Sequence, residues 1–257
     1  MTIDQTEIYE KSPVGVVVCD KYQRVLWCND KFLNDSKLDQ STVVGQLYLS
    51  LPIEVIDNHC QILPPDGDKS NNEQLRFSYW QSNVDTPSGA VAHYFVSNRT
   101  NHNTVKVSAH NLPQRPNWLE FLDYEVSRSR RYGNPLSLLK LHLIVFQKPD
   151  DFSEEVLHQT IKVTLNDEMR WSDMVGHTEH GSYLIVLPET PFDALDNLKD
   201  KLKKTLSKRL DTVNGDIKYD IVFGGSSWQR HDDTKKILAR ARDSLVKHLE
   251  DLLAAKN

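Results

Sequence analysis

The chain has 257 residues, of which 39% are hydrophobic and 26% are charged, and its formal net charge is −5. This composition excludes an intrinsically disordered chain, and the length allows two domains that each bury a core. The net negative charge provides no overall attraction for nucleic acid. No apolar run approaches the roughly 20 residues that span a bilayer, and the acidic N-terminus lacks the apolar region of a signal peptide. We therefore expect a cytoplasmic protein without a membrane span.

The first part of the chain has the pattern of short strands separated by polar turns. Apolar, β-branched runs predict strands at 14–20, 25–28, 75–80 and 90–96, with a short helix at 31–35. The segments 64–68 and 85–89 contain proline and glycine and are predicted loops. This alternation favours an antiparallel sheet with small helices packed on it.

This part contains a set of short motifs, namely Ser12-Pro13-x-Gly15, a strand ending in Asp20, Arg24-Val-Leu-x-x-Asn29, and Val44-Gly45. These residues resemble the motifs of PAS domains. The resemblance implies a PAS-like sensor or dimerisation domain over residues 1–105. It leaves the PAS ligand open, since pockets of this family hold haem, flavin, small metabolites or nothing.

No ligand of the first domain is identified by its histidine and cysteine residues. Cys19, Cys28 and Cys60 have neither zinc spacing nor an even number, so we predict reduced thiols in a core. His59 precedes Cys60 in a predicted short helix. It is a candidate haem ligand, and the alternative is that it has a structural role only. The residues of this domain therefore do not assign a cofactor.

Residues 106–131 are predicted to form a linker followed by a connector helix. Asn117 and Glu120 have the spacing of a capping box. Apolar residues then recur at helical spacing, namely Trp118, Leu119, Leu122 and Val126. Two interpretations stay open: the helix pairs with its copy in a homodimer, or it packs on its own domain.

The rest of the chain, residues 132–257, alternates strands and helices in a way that favours an α/β or α+β domain. Strands are predicted at 136–145, 174–177, 183–187 and 219–224, and helices at 154–169, 192–210 and from about 234 onward. The two central strands are predicted to form a hairpin around residues 179–182.

In this second part Arg170-Trp-Ser-Asp173 stands five residues ahead of Glu179-His-Gly-Ser-Tyr183. This order and spacing resemble the RxxD motif and the signature hairpin of the GGDEF domains of diguanylate cyclases. Further matching segments are Arg130-Arg-Tyr-Gly-Asn-Pro-Leu136, Leu184-Ile-Val-Leu-Pro188 and Leu238-Ala-x-Ala241. The resemblance implies an adenylyl-cyclase-type βααββαβ mixed sheet flanked by helices.

The residues that would perform the family's chemistry are replaced. The cyclase reaction needs two carboxylates for divalent metal ions, and His142 and Ser182 stand at those positions. Glu179 and His180 replace the two glycines that approach the nucleotide, Gly181 replaces an acidic residue, and Tyr183 ends the hairpin.

Three further family positions are also changed. Gln147 and Leu249 occupy two lysine positions, and Asp150 occupies that of the guanine-contacting asparagine. We therefore predict an inactive cyclase homologue with no catalytic residue and no metal site.

The RxxD motif is retained. In many cyclases it forms an inhibitory site for cyclic di-GMP, and the resemblance assigns that role to Arg170, Asp173 and a basic residue of the following helix. Lys201 is nearest by count among Lys199, Lys201, Lys203 and Lys204. The alternative is structural: Asp173 caps the strand, and Arg170 pairs with Asp173 or Glu168.

Three functions follow, in this order. The first is a non-catalytic bacterial signalling protein that binds cyclic di-GMP and changes its contacts with an unidentified protein partner. The second is a nucleotide-independent scaffold, and the third is a cyclase with an atypical active site, which magnesium-dependent GTP binding would support. The sequence does not reveal the output, whether biofilm formation, motility or secretion.

Overall fold

The structure is a computed structural model that describes residues 9–56, 59–62, 75–84, 89–97, 117–149, 152–179, 181–213 and 216–256. The chain divides into two compact units, Met1–Arg115 and Pro116–Asn257. Residues 106–116 of the predicted linker lie outside the described residues. No helix in the described part of the chain is long and apolar enough to cross a membrane.

The first unit contains a six-stranded sheet with the order β2-β1-β6-β5-β4-β3, in which all pairings are antiparallel. Its elements are β1 (Gly15–Cys19), β2 (Val25–Cys28), α1 (Asp30–Ser36), α2 (Gln40–Val43), a 3-10 turn (Tyr48–Ser50), β3 (Ile53–Ile56), β4 (His59–Ile62), β5 (Leu75–Asn83) and β6 (Val91–Ser97). The short helix predicted around His59 and Cys60 is therefore wrong, because these residues form β4 and pair with both β3 and β5.

Asn29 connects β1 to α1. Its buried side-chain oxygen accepts from the backbone N–H groups of Val16 and Phe32, at 2.9 and 3.0 Å. Its amide nitrogen donates to the carbonyl groups of Tyr9 and Val14, both at 2.9 Å. Because one side chain satisfies both a strand and a helix N-terminus, Asn29 fixes where the first helix begins.

The second unit contains a four-stranded sheet with the order β10-β7-β9-β8. Its elements are α3 (Trp118–Tyr132), β7 (Leu136–Gln147), α4 (Glu154–Glu168), β8 (Met174–Glu179), β9 (Ser182–Pro188), α5 (Ala194–Asp211), β10 (Lys218–Ser227) and α6 (Thr234–Lys256). Leucine and isoleucine side chains of β7, α4, β9 and α5 form its main hydrophobic core.

All strand pairings of this sheet are antiparallel, so the predicted mixed sheet is wrong. The helix α4 connects β7 to β8, which are not neighbours in the sheet. The strand β9 lies between them and runs antiparallel to both. This is the split βαβ arrangement. The described residues between β7 and β8 contain one helix, not the two of the predicted βααββαβ order.

The helix α3 begins with the predicted capping box, in which Asn117 accepts from Glu120 N–H and the Glu120 carboxylate accepts from Asn117 N–H. Its apolar residues are buried within the second unit. A Cβ added at Gly176 of β8 would lie 2.4 Å from Trp118 Cδ1, so only glycine allows this close packing. The helix thus packs on its own unit, which was one of the two interpretations of the connector helix.

The last helix, α6, covers the outer edge of β10. Arg240, Ser244 and His248 are spaced four residues apart on one helical face, and they hydrogen-bond Ser227 O, Gly225 N and Phe223 O at 2.6, 3.2 and 2.9 Å. Four helical residues rise about 6 Å, and two strand residues rise about 6.7 Å. The two periods nearly match, so successive helical turns meet successive outward-facing backbone groups of the strand.

Candidate functional site

The residues singled out in the second unit lie at two opposite ends of its sheet: the RxxD motif lies at one end, and His142 and Ser182 lie at the other. The register pairs Met174 with Val186 and Leu136 with Pro188, so the start of β8 lies at the same end as the start of β7. The turn Arg170–Asp173 precedes β8 and lies at this end. The pair His142 and Ser182 lies at the opposite end.

The turn from Arg170 to Asp173 is held by two hydrogen bonds between its first and last residues. Asp173 N–H donates to Arg170 O at 3.0 Å, and Arg170 N–H donates to Asp173 Oδ2 at 2.9 Å. The side chain of Asp173 is half-buried, whereas Arg170 is exposed. Burial raises the pKa of Asp173, and the Arg170 N–H and guanidinium act in the opposite direction.

The Arg170 guanidinium makes no hydrogen bond or ion pair within the described residues, although its charge is close enough to Asp173 to affect the pKa of that carboxyl group. The turn therefore presents a guanidinium beside a carboxylate on a fixed backbone. These two groups have the donors and acceptors that a guanine edge or a phosphate requires.

Lys201 is brought near this turn. Its Nζ lies 2.8 Å from Glu168 Oε2, and Glu168 precedes Arg170 by two residues. The other candidate lysines differ: Lys199 pairs with Asp196 at 3.0 Å and Lys203 with Asp220 at 3.4 Å. Of these three lysines, Lys201 is the one whose ion pair reaches the residues next to the RxxD turn.

Trp171 lies inside the RxxD turn, and its sequence pattern predicted no role for it. Its side chain is 99% exposed. The sequence could have indicated this exposure, since Trp171 is the one apolar residue of a four-residue motif. A large apolar side chain in a short polar turn has few neighbours that could cover it.

At the opposite end of the sheet, His142 and Ser182 are cross-strand neighbours and both are buried. The His142 Nδ1 atom lies 2.7 Å from Ser182 Oγ. The two residues that the resemblance places at carboxylate positions of a cyclase therefore form a hydrogen-bonded pair. Gly181 turns the hairpin with a φ of 75°, and its added Cβ would lie 3.0 Å from Leu143 O.

Two further residues that the GGDEF resemblance singled out, Tyr183 and Leu249, are buried. Leu249 is buried, so this position of α6 offers no cation to a phosphate. Tyr183 is buried and donates to His158 O at 3.0 Å, and burial raises the pKa of its hydroxyl. The side chain of Glu179, and all of His180 and Asp150, lie outside the described residues.

No group of three or more His, Cys, Asp or Glu side chains in the described ranges could hold a metal ion. In the first unit, Cys19, Cys28 and Cys60 are buried and form no disulfide. Burial, together with the charges of Glu10 and Asp30, raises the pKa of Cys28 to about 11. This thiol is therefore protonated at neutral pH and is a poor nucleophile.

A buried aromatic cluster in the first unit was also missed from the sequence. His93 stacks on Tyr48 with ring centroids 3.9 Å apart, and its Nδ1 lies 2.8 Å from the Tyr79 hydroxyl oxygen. The three residues come from distant parts of the chain, and β5 and β6 must pair before they meet. The cluster gives the core of this unit a polar centre.

No family model matches the chain, and no curated protein matches it. Among solved structures, it is similar to the diguanylate cyclase SiaD in complex with its activator SiaC from Pseudomonas aeruginosa (19% identity, TM-score 0.43, covering 52% of this chain and 53% of that chain). The chain thus spans about half of that SiaD structure.

Two further solved structures are similar to parts of the chain. One is the coiled coil and GGDEF domain of DgcB from Caulobacter crescentus in complex with c-di-GMP (12% identity, TM-score 0.43, covering 49% and 70%). The other is the PAS domain of nitrogen regulation protein NR(II) from Vibrio parahaemolyticus (11% identity, TM-score 0.30, covering 37% and 97%). Similarity at this level says nothing about ligand or activity.

Proposed function

We propose that this chain is a non-catalytic signalling protein that binds cyclic di-GMP through the turn Arg170–Asp173. The observation that carries the proposal is the exposed Arg170 guanidinium, which has no hydrogen bond or ion pair within the described residues and lies on the same turn as the Asp173 carboxylate. An exposed cation next to a half-buried carboxylate, on a turn held by two hydrogen bonds, is a preorganised polar site.

The chemistry of guanine fits these two groups. The guanidinium donates two parallel hydrogen bonds to guanine O6 and N7 or to a phosphate. The carboxylate accepts from guanine N1–H and from its amino group. Because a carboxylate has about four acceptor positions, Asp173 can keep its bond from Arg170 N–H while accepting from the base.

Lys201 is proposed as the third ligand-binding residue. In the structure its ammonium group pairs with Glu168. The Lys201 side chain is 57% exposed, whereas that of Glu168 is 20% exposed. A phosphate that replaced Glu168 would gain the Lys201 charge and leave the Glu168 carboxylate without this partner, and Lys201 would contribute charge more than directional specificity.

The absence of catalysis is part of the proposal. It is supported by the buried His142–Ser182 pair, because these side chains hydrogen-bond to each other and neither offers the hard anionic oxygen that magnesium prefers. The buried Leu249 supports it further, since a phosphate-binding lysine is required there in an active cyclase.

A second candidate function is a nucleotide-independent scaffold. It is favoured by the protein partners that Asp173 and Lys201 already have, namely Arg170 N–H and Glu168. In that case the RxxD turn serves only to end α4 and begin β8. The two candidates differ in one measurable property, which is affinity for the dinucleotide.

The test is calorimetric titration of cyclic di-GMP into the wild-type protein and Arg170→Ala at physiological salt. Loss of one charge-assisted contact should cost at least about 1.5 kcal/mol, which is more than tenfold in affinity. Arg230→Ala is the matched control: it removes the same charge from an exposed turn that follows β10, at the far edge of the same sheet.

Binding that Arg170→Ala weakens and Arg230→Ala leaves unchanged would support the receptor. Absence of binding by the wild-type protein would overturn it and leave the scaffold. Equal weakening by both variants would indicate general electrostatic attraction and would also contradict a specific site.

A further inference from the structure

Trp171 is the most exposed large hydrophobic side chain in the described part of the chain. The next most exposed are Tyr124 and Tyr132, at 65% and 64%, and each has a hydroxyl group that water can solvate. Single exposed apolar residues are common on protein surfaces. A tryptophan that is 99% exposed is different, because its large indole surface has almost no contact with its own fold.

The turn holds the backbone of Trp171 in place. The Arg170–Asp173 hydrogen bonds close a four-residue turn, whose first and last Cα atoms are within about 7 Å. Trp171 therefore lies between Arg170 and Asp173 along this closed turn, and its exposed indole contributes almost no packing to the fold. A ligand bound between Arg170 and Asp173 would lie within reach of the indole.

We propose that Trp171 is a stacking platform for one guanine base of the dinucleotide, so that the indole covers the face of a base whose edge Arg170 and Asp173 contact. This inference rests on the proposed function and adds a residue to the same site. The neighbouring guanidinium and carboxylate favour a base over a protein side chain as the occupant, because they complement the guanine edge.

Stacking also explains how a turn can bind a ligand without a deep cavity. The guanidinium and carboxylate are near the surface, where water competes for their hydrogen bonds. An indole on one face of the base excludes water from that side and supplies contact area that the two polar residues lack. Alanine substitution of a base-stacking aromatic residue typically weakens binding roughly fivefold to a hundredfold.

The experiment titrates cyclic di-GMP into the full-length wild-type protein and three variants, Trp171→Ala, Trp171→Phe and Trp80→Ala. We expect Trp171→Ala to weaken binding at least about fivefold, whereas Trp171→Phe, which keeps an aromatic face, stays within about threefold of wild type. Trp80→Ala is the control, because Trp80 is another exposed tryptophan, belongs to the first unit and stacks on Tyr94. It should bind as the wild type does.

Tryptophan fluorescence gives a second readout. Stacking on guanine should quench the emission of Trp171, so ligand should quench the wild-type protein and Trp80→Ala but not Trp171→Phe. Since the indole packs against almost nothing, Trp171→Ala should unfold at the wild-type temperature, and a loss of binding would not reflect a loss of fold.

The outcomes separate the inference from the proposed function. Wild-type affinity in Trp171→Ala, with binding lost in Arg170→Ala, would overturn the stacking role and leave the receptor intact. The same holds if ligand binds without quenching Trp171. No binding by the wild-type protein would overturn both, and Trp171 would then be better explained as a contact for a protein partner.

Discussion

Asp173 is the residue of the proposed site whose charge depends on pH in the acidic range. Burial raises the pKa of its carboxyl group above the ordinary value, and the hydrogen bond from Arg170 N–H and the Arg170 charge only partly oppose this. The folded protein therefore holds this proton to a higher pH than the unfolded chain does. The stability contributed by Asp173 is fully present below the unfolded pKa and is lost as the pH rises through the folded pKa.

The same pKa predicts the pH dependence of ligand binding. The carboxylate must be ionised to accept from guanine, so affinity for cyclic di-GMP should fall as the pH is lowered from about 7 toward and below the raised pKa, by up to tenfold for each pH unit below it. Asp173→Asn should bind weakly and show little pH dependence. Calorimetry at several pH values checks this, and a wild-type affinity that rises on acidification would contradict it.

At the scale of single residues, the assignment of side chains to family positions stays a prediction, and the sequence did not reveal how these side chains interact. The His142–Ser182 bond depends on the register between β7 and β9, which no local pattern reveals. The Lys201–Glu168 pair depends on how α4 packs against α5. The assignment of Arg170, Asp173 and Lys201 to a ligand stays a prediction.

Among the secondary-structure elements, the contact between α6 and β10 depends on one glycine. A Cβ added at Gly224 would lie 2.2 Å from the backbone nitrogen of Leu245, which cannot move without displacing the helix. At the neighbouring Gly225, an added Cβ would meet the Leu195 side chain at 2.9 Å, and a side-chain end can rotate away. The two glycines thus form a matched pair for substitution.

We predict that Gly224→Ala lowers the free energy of unfolding by about 3 kcal/mol, and that Gly225→Ala lowers it by less than half as much. The difference arises because backbone must move in the first variant and only a side chain in the second. Urea unfolding of both variants measures it. A smaller loss in Gly224→Ala than in Gly225→Ala would show that α6 is not seated as described.

The sequence predicted long elements better than short ones. The capping box at Asn117 and Glu120 fixed the start of α3 correctly, because the motif is local. The strands β3 and β4 were missed, since each has four residues and the polar pair Glu54–Gln61 interrupts its apolar pattern. Such strands are stabilised by their neighbours in the sheet and not by their own sequence.

Considering the whole molecule, the residues on which the predicted lack of catalysis rests are spread over several elements. His142 lies on β7, Ser182 on β9 and Leu249 on α6. Cyclase chemistry needs these groups together, because metals and cations must neutralise the phosphates at the same time.

We therefore predict that the protein forms no cyclic di-GMP from GTP and magnesium, and that the double variant His142→Asp with Ser182→Glu forms none either. Restoring two carboxylates leaves the phosphate position at Leu249 apolar. Chromatography of the nucleotide products checks both proteins. Product from the wild type would favour the atypical cyclase, and product from the double variant alone would show that only the metal site was lost.

The topology of the second unit could not be predicted from the order of its elements. The alternation of strands and helices is compatible with a parallel, a mixed or an antiparallel sheet. The strand β9 enters between β7 and β8 and pairs antiparallel with both, and β10 pairs antiparallel with the other edge of β7. Strand order of this kind depends on long-range contacts that a single sequence does not display.

The contacts between α6 and the outer edge of β10 have a consequence for solubility. Residues 221–225 of this edge strand carry no charge and no proline, the composition of a segment that pairs readily with strands of other molecules. Arg240, Ser244 and His248 occupy the backbone groups that such a strand would use. The last helix therefore protects the protein from intermolecular β-pairing, and damage that detaches it should lead to aggregation.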